Sequence, residues 1–145
     1  MREEKKMLVV VHPGSACGSA DFNLGLIPAS QYRDRMARTI HDWDGEIVVV
    51  DGVQSSEIPV YAQISLALEN AKERVSGFRR IEACWSDDDW QNRVYEEMGD
   101  GAGRKALVTG AWYHREDDGG CVNAVLEVLG RRGYEPEVSP CALPL

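Results

Sequence analysis

The chain has no CxxC pair, no long apolar run and no excess of positive charge, and each absence excludes something. Its four cysteines stand at positions 17, 84, 121 and 141, widely spaced and without a compact framework. That spacing does not match the usual zinc patterns, and it points to reduced thiols in a cytoplasmic protein rather than a disulfide scaffold. The charged opening Met1-Arg2-Glu3-Glu4-Lys5-Lys6 precedes one apolar run, Met7 to Val11. Such a run is too short for a signal-peptide core or a membrane span. A formal charge of −8 argues against nucleic acid or an anionic membrane as the main partner. The largest basic clusters, Arg79-Arg80 and Arg131-Arg132, both fall near expected element ends. Also missing are a G-x-x-x-x-G-K-[ST] loop, a G-x-G-x-x-G after the first strand, a G-x-S-x-G elbow and a Cys-x5-Arg cradle. No cofactor is therefore expected. No repeat, low-complexity segment or interdomain linker interrupts the chain.

What remains is a 145-residue chain, 43% hydrophobic and 28% charged, which suits a single domain over residues 1–145. Five β-like runs alternate with four helical patterns. Met7 to Val11 reads as a strand buried on both faces, and the polar stretch from Pro13 to Pro28 as a long loop. A helix is expected over 31–43, capped by Ser30, with Tyr32, Met36, Ile40 and Trp43 on one face. Strand two spans Glu46 to Val50 and ends at Asp51. Ser56 caps a second helix, with Pro59 in its first turn and Val60, Ile64, Ala67, Leu68, Ala71 and Val75 as its stripe.

Strand three spans 79–85. Ser86 then caps a helix that opens with Asp87, Asp88 and Asp89 and buries Trp90, Val94 and Met98. Those aspartates are read as complementing the helix dipole, not as a metal cluster. After a glycine-rich turn from Gly99 to Gly103, strand four spans 105–112, and the next helix closes at Arg131-Arg132-Gly133. The last strand, 134–139, contains Pro136 and belongs at an edge or is irregular. This alternation predicts a three-layer α/β/α sandwich around a mostly parallel, roughly five-stranded, Rossmann-like sheet.

In such folds ligands bind beyond the carboxyl ends of the strands. Those ends carry His12, Asp51, Cys84-Trp85 and Ala111-Trp112-Tyr113-His114. Gly119-Gly120-Cys121-Val122-Asn123 places a thiol where a helix begins, since Val122, Val125, Leu126 and Leu129 follow helical spacing. A helix start lowers a thiol's pKa, and glycines admit a substrate carbonyl close to backbone N–H groups. Equally, Gly-Gly can be a plain turn and Cys121 a small buried residue. His12 has the chemistry of a general base, or it simply ends a strand before Pro13. His114 lies in a polar insert that also reads as a solvated loop. A metal site assembled from His12, Cys17, His114 and Cys121 has no supporting spacing, so no metal is expected.

The C-terminal third resembles the isochorismatase-like cysteine hydrolase superfamily. The resemblance rests on Val108-Thr109-Gly110, Cys121-Val122-Asn123-Ala124, Gly133-Tyr134 and Ala142. Gly133 follows Cys121 by twelve residues, as in the family. The strand from Met7 and the pair Asp21-Phe22 are similar to the family's opening. The resemblance implies a Cys, Asp and Lys triad hydrolysing small amides or related bonds. Cys121 matches its nucleophile, while His12 stands where the aspartate belongs and Asp21 lies nine residues later. The lysine has no counterpart, because strand three runs Ile81-Glu82-Ala83-Cys84-Trp85. Asp51-Gly52-Val53-Gln54 lacks the family's zinc-binding histidines.

The expectation is thus a divergent cysteine hydrolase with Cys121 as nucleophile and His12 or Asp21 as base. Gly120 would help bind the oxyanion, and Trp85, Trp112 and His114 would contact a small-molecule substrate. The alternative is a catalytically silent domain that binds a ligand or assembles, as a homo-oligomer for example.

Overall fold

Five strands and four helices alternate in the computed structural model, which describes residues 6–11, 29–51, 62–83, 88–110 and 121–140. In chain order they are β1 (Met7–Val11), α1 (Ala29–Asp42), β2 (Ile47–Asp51), α2 (Ala62–Arg74), β3 (Phe78–Glu82), α3 (Trp90–Met98), β4 (Lys105–Gly110), α4 (Cys121–Arg131) and β5 (Glu135–Pro140). The sheet order is β3-β2-β1-β4-β5 and every pairing is parallel. The aliphatic runs of β1 and β2 are buried throughout, as strands covered on both faces must be. Edge strand β3 alternates instead, with Ile81 buried between exposed Arg80 and Glu82. Pro136 sits in β5, the opposite edge, where a missing N–H costs the ladder least.

Two apolar cores flank the sheet. Leu8, Val10, Ile47 and Val49 pack against Met36 and Ile40 of α1 and Ile64, Leu68 and Ala71 of α2. The intervening Val9, Val11, Val48 and Val50 join Val94 and Met98 of α3 and Val122, Val125 and Leu129 of α4 on the other side. This division follows from topology. Crossovers have one hand, so connections moving from β1 outward to β3 cover one face, and those returning through β4 to β5 cover the other. The result is a three-layer α/β/α fold.

Several element ends differ from expectation. β3 stops at Glu82, level with Asp51 of β2, and Ala83 leaves the strand while its N–H still donates to Asp51 O at 2.8 Å; Cys84, Trp85, Ala111 and Trp112 lie outside the described residues. Helix α1 starts at Ala29, so Ser30 lies inside it and does not cap it. Ala29, a strong helix former, directly follows Pro28 in the chain. Asp89 takes the N-cap position of α3 without a side-chain cap bond, its Oδ1 accepting instead from Asn92 Nδ2 at 2.8 Å. Ser56, Pro59, Val60, Ser86 and Asp87 lie outside the described residues.

The amino edge of the sheet is a dense structural junction. Gly133, at φ 87°, closes α4 as a Schellman cap: its N–H donates to Gly130 O at 3.2 Å, and the Tyr134 N–H to Leu129 O at 3.0 Å. β5 starts at Glu135 because the two preceding residues belong to this cap. The last carbonyls of α3 are also satisfied from elsewhere. Arg79 Nη1 donates to Glu97 O at 3.0 Å, the Tyr134 hydroxyl to Met98 O at 2.7 Å and Arg132 Nε to Gly99 O at 2.9 Å. Arg131 and Arg132 both lie over the Tyr95 ring, at 5.1 and 4.5 Å from its centre. Arg79, Arg131 and Arg132, members of the two basic clusters of the sequence, thus have structural roles.

Burial raises the Tyr134 hydroxyl pKa above the usual tyrosine value, and the charges of Arg79, Arg104 and Arg132 partly oppose it. A phenol whose folded pKa exceeds its unfolded one contributes stability that is complete below the unfolded value. That contribution is lost as pH rises through the folded one. Tyr134→Phe is expected to cost about 1 kcal/mol at neutral pH. The same substitution should flatten the loss of stability above about pH 10. Urea unfolding on both sides of that pH would show the change of slope. Equal slopes for the two proteins would assign the alkaline loss to other groups.

Candidate functional site

The strand order reverses between β1 and β4, since the chain moves outward from β1 in one direction and from β4 in the other. The crevice beyond the carboxyl ends of such a strand pair is where open α/β sheets bind ligands. Here Val11 of β1 is in register with Gly110 of β4, and both are the last residues of their strands. Helix α4 follows β4, and its first residue is Cys121.

Gly110 makes this junction tight. A β-carbon on it would sit 2.7 Å from Val122 Cγ2 and 2.8 Å from the Val11 carbonyl oxygen. Helix α4 therefore starts in contact with the end of β4 and beside the end of β1. Val122, Val125, Val128 and Leu129 hold it there, all buried in the core beneath. The first turn of a helix offers unpaired N–H groups and the positive end of the dipole. Both stabilise a negative charge brought to the start of α4.

Two polar residues are buried near this edge, Asp51 and Thr109. Asp51 ends β2, the neighbour of β1, and is only 8% exposed. Thr109 is fully buried one register step before Gly110, level with Val10 of β1. A buried carboxylate is costly unless it is paired or hydrogen-bonded. The position of Asp51 at a strand end was legible in the sequence; its burial was not.

Of the expected site residues, the structure places the backbone of Cys121 at the start of α4. His12, Asp21, Gly120, Trp85, Trp112 and His114 lie outside the described residues, as does Cys17. At the carboxyl edge β3 ends in exposed Glu82 and carries no lysine. Lys105 opens β4 at the opposite edge, the length of a strand from Cys121. Among the described residues no group of three or more His, Cys, Asp or Glu side chains could hold a metal ion. No helix among them is long and apolar enough to cross a membrane.

A groove of about 430 Å³ runs between α1 and α2 over Ala37 and Ala67, flanked by Arg38, His41 and Leu66. It lies in the helix layer opposite α4 and is separate from the Cys121 junction.

The chain matches no protein-family model, no curated protein and no solved structure. The twelve-residue interval from Cys121 to Gly133 has a direct structural meaning: it is the length of α4 plus its Schellman cap. Gly133-Tyr134 therefore lies about 15 Å from Cys121, at the far end of an eleven-residue helix.

Proposed function

We propose that this protein is a divergent, isochorismatase-like cysteine hydrolase acting on a small amide, imide or ester-like substrate. The reading is carried by one observation: α4 begins at Cys121, on the carboxyl edge where the strand order reverses. A nucleophile at that point meets a ligand bound in the crevice, with the helix dipole favouring its thiolate.

In this mechanism His12, the residue after Val11, or Asp21 takes the thiol proton, and the sulfur attacks the substrate carbonyl. Backbone N–H groups at Gly120 and Cys121 bind the oxyanion. As the C–N or C–O bond breaks, the proton passes to the departing atom and leaves a thioester. Water, deprotonated by the same base, then releases the acid and restores the thiol. Trp85, Trp112 and His114 contribute to the substrate pocket, and a reducing, cytoplasmic setting keeps the thiol free.

A second reading, a catalytically silent ligand-binding or assembly domain, is favoured by the carboxyl end of β3. β3 contains no lysine, which the resemblance calls for at the end of that strand. Thiol reactivity separates the two. For a hydrolase, Cys121 should alkylate with iodoacetamide at neutral pH faster than free cysteine. Cys121→Ala should abolish turnover in a pooled screen of small amides and esters, a loss of about 10³-fold or more. A Cys121 no more reactive than free cysteine would leave the silent reading standing.

A further inference from the structure

The groove of about 430 Å³ between α1 and α2 plays no part in the chemistry at Cys121. Asp34, Ala37, Arg38 and His41 line it from α1, and Gln63, Leu66, Ala67 and Asn70 from α2. Each set follows the i, i+3, i+4, i+7 spacing of a single helix face. Ala37 and Ala67 form a buried floor, each 7% exposed, while the polar lining residues stand exposed on the rims. Leu66 is different. At 63% exposed, it is the large apolar side chain that lies open to water among the described residues. A knob of that kind beside a hole floored by alanines is self-complementary.

We propose that the α1/α2 face is a homodimer interface, in which Leu66 of each copy packs over the alanine floor of the other. The polar pattern selects a second copy as the occupant. α1 and α2 run in the same direction, since each joins two parallel strands. A two-fold axis crossing both helices at the level of the alanines therefore reverses both at once. On α1 it sets Asp34 against His41 of the second copy, and His41 against the second copy's Asp34. An imidazole donates to a carboxylate whether neutral or charged. Arg38, nearer the axis, reaches the same carboxylate from one turn away. On α2 the axis pairs Gln63 with Asn70, amide to amide, and brings Leu66 onto Ala67. Acidic meets basic and large meets small, each twice, as an isologous contact requires of a single patch. A small ligand suits the groove less well, because it is open along its length and would leave much of the ligand in water. Two short helix faces cover little area, which puts the dimer in the weak, micromolar class. The inference does not use Cys121, and the hydrolase reading stands or falls apart from it.

Sedimentation equilibrium of the full-length protein, from about 1 µM to about 300 µM, reads the association. Salt at about 0.15 M screens the repulsion between chains of formal charge −8. Wild type should pass from monomer to dimer within that range. Leu66→Asp should raise Kd about tenfold or more and leave the circular dichroism unchanged, because the side chain is exposed in the single chain. Asp34→Lys and His41→Glu should each weaken self-association about tenfold, since each removes the attraction at both ends of the interface. An equal mixture of these two variants should recover wild-type association. In the mixed dimer the new lysine faces the new glutamate, and native His41 faces native Asp34.

A wild type that stays monomeric at the highest concentration overturns the proposal and leaves the groove to another protein's helix or to a small molecule. A dimer that Leu66→Asp and both charge variants leave intact is held through a different face, which overturns it as well. If Leu66→Asp does not fold, the charge variants decide. Recovery on mixing requires the reciprocal pairing of Asp34 with His41, and a mixture no tighter than either variant alone overturns the proposal.

Discussion

Gly101→Ala is expected to destabilise the protein by about 3 kcal/mol and to lower Tm by roughly 10 °C. Gly101 is buried, and a β-carbon there would lie 2.5 Å from Cγ and Cδ2 of the Tyr134 ring and 2.7 Å from its backbone nitrogen. Neither can retreat easily. The ring is tied through its hydroxyl to Met98 O, and the nitrogen donates to Leu129 O within the α4 cap. Relief must come from the turn that carries Gly101. That turn holds the cap through Gly101 N–H to Arg132 O and Gly103 N–H to Gly133 O, both at 2.7 Å, and loosening it weakens each bond. Thermal unfolding measures the effect. A shift of no more than about 2 °C would mean that the turn and the cap are not in this contact.

Gly110→Ala joins stability to the proposed site. The added methyl would approach the Val11 carbonyl oxygen, which is backbone of the central strand, at 2.8 Å, and Val122 Cγ2 at 2.7 Å. The central strand is flanked by β2 and β4 and cannot shift alone, so the first turn of α4 must move outward. The expected cost is about 1–3 kcal/mol, smaller than at Gly101 because a helix end yields more easily than a double turn. The functional effect should be larger. Cys121 shares that turn with Val122, and a nucleophile displaced by about 1 Å can lose about 10²-fold in rate. The expected result is a folded protein whose Cys121 alkylates, or turns over a screened substrate, far more slowly than wild type. Unchanged reactivity at a lowered Tm would show that the contact serves stability alone.

Much of the fold was legible from local pattern. The aliphatic runs at Met7–Val11 and Ile47–Val50, the helical spacing of Ile64, Ala67, Leu68 and Ala71, and Pro136 in the last strand each record a periodicity or a backbone restriction. They are properties of adjacent residues, so a chain read in order displays them. The end of β3 was less legible. Ala83 continues the apolar character of β3, yet the strand stops at Glu82, level with the end of a partner that lies far away in sequence.

The candidate site divides the same way. Cys121 at a helix start could be read directly, because helical spacing begins there. By itself the sequence determined the alternation of strands and helices, the parallel sheet they demand and the thiol at the head of the fourth helix. Tertiary structure alone decided that β1 and β4 meet at the reversal of strand order, and that Gly110 is needed for α4 to touch them. It also decided that Asp51 is buried, and that Gly133-Tyr134 belongs to a helix cap at the opposite edge. The physical reason is range. Periodicity and helix starts are written in residues a few positions apart, whereas burial and close approach depend on elements tens of residues distant that meet only when the sheet assembles.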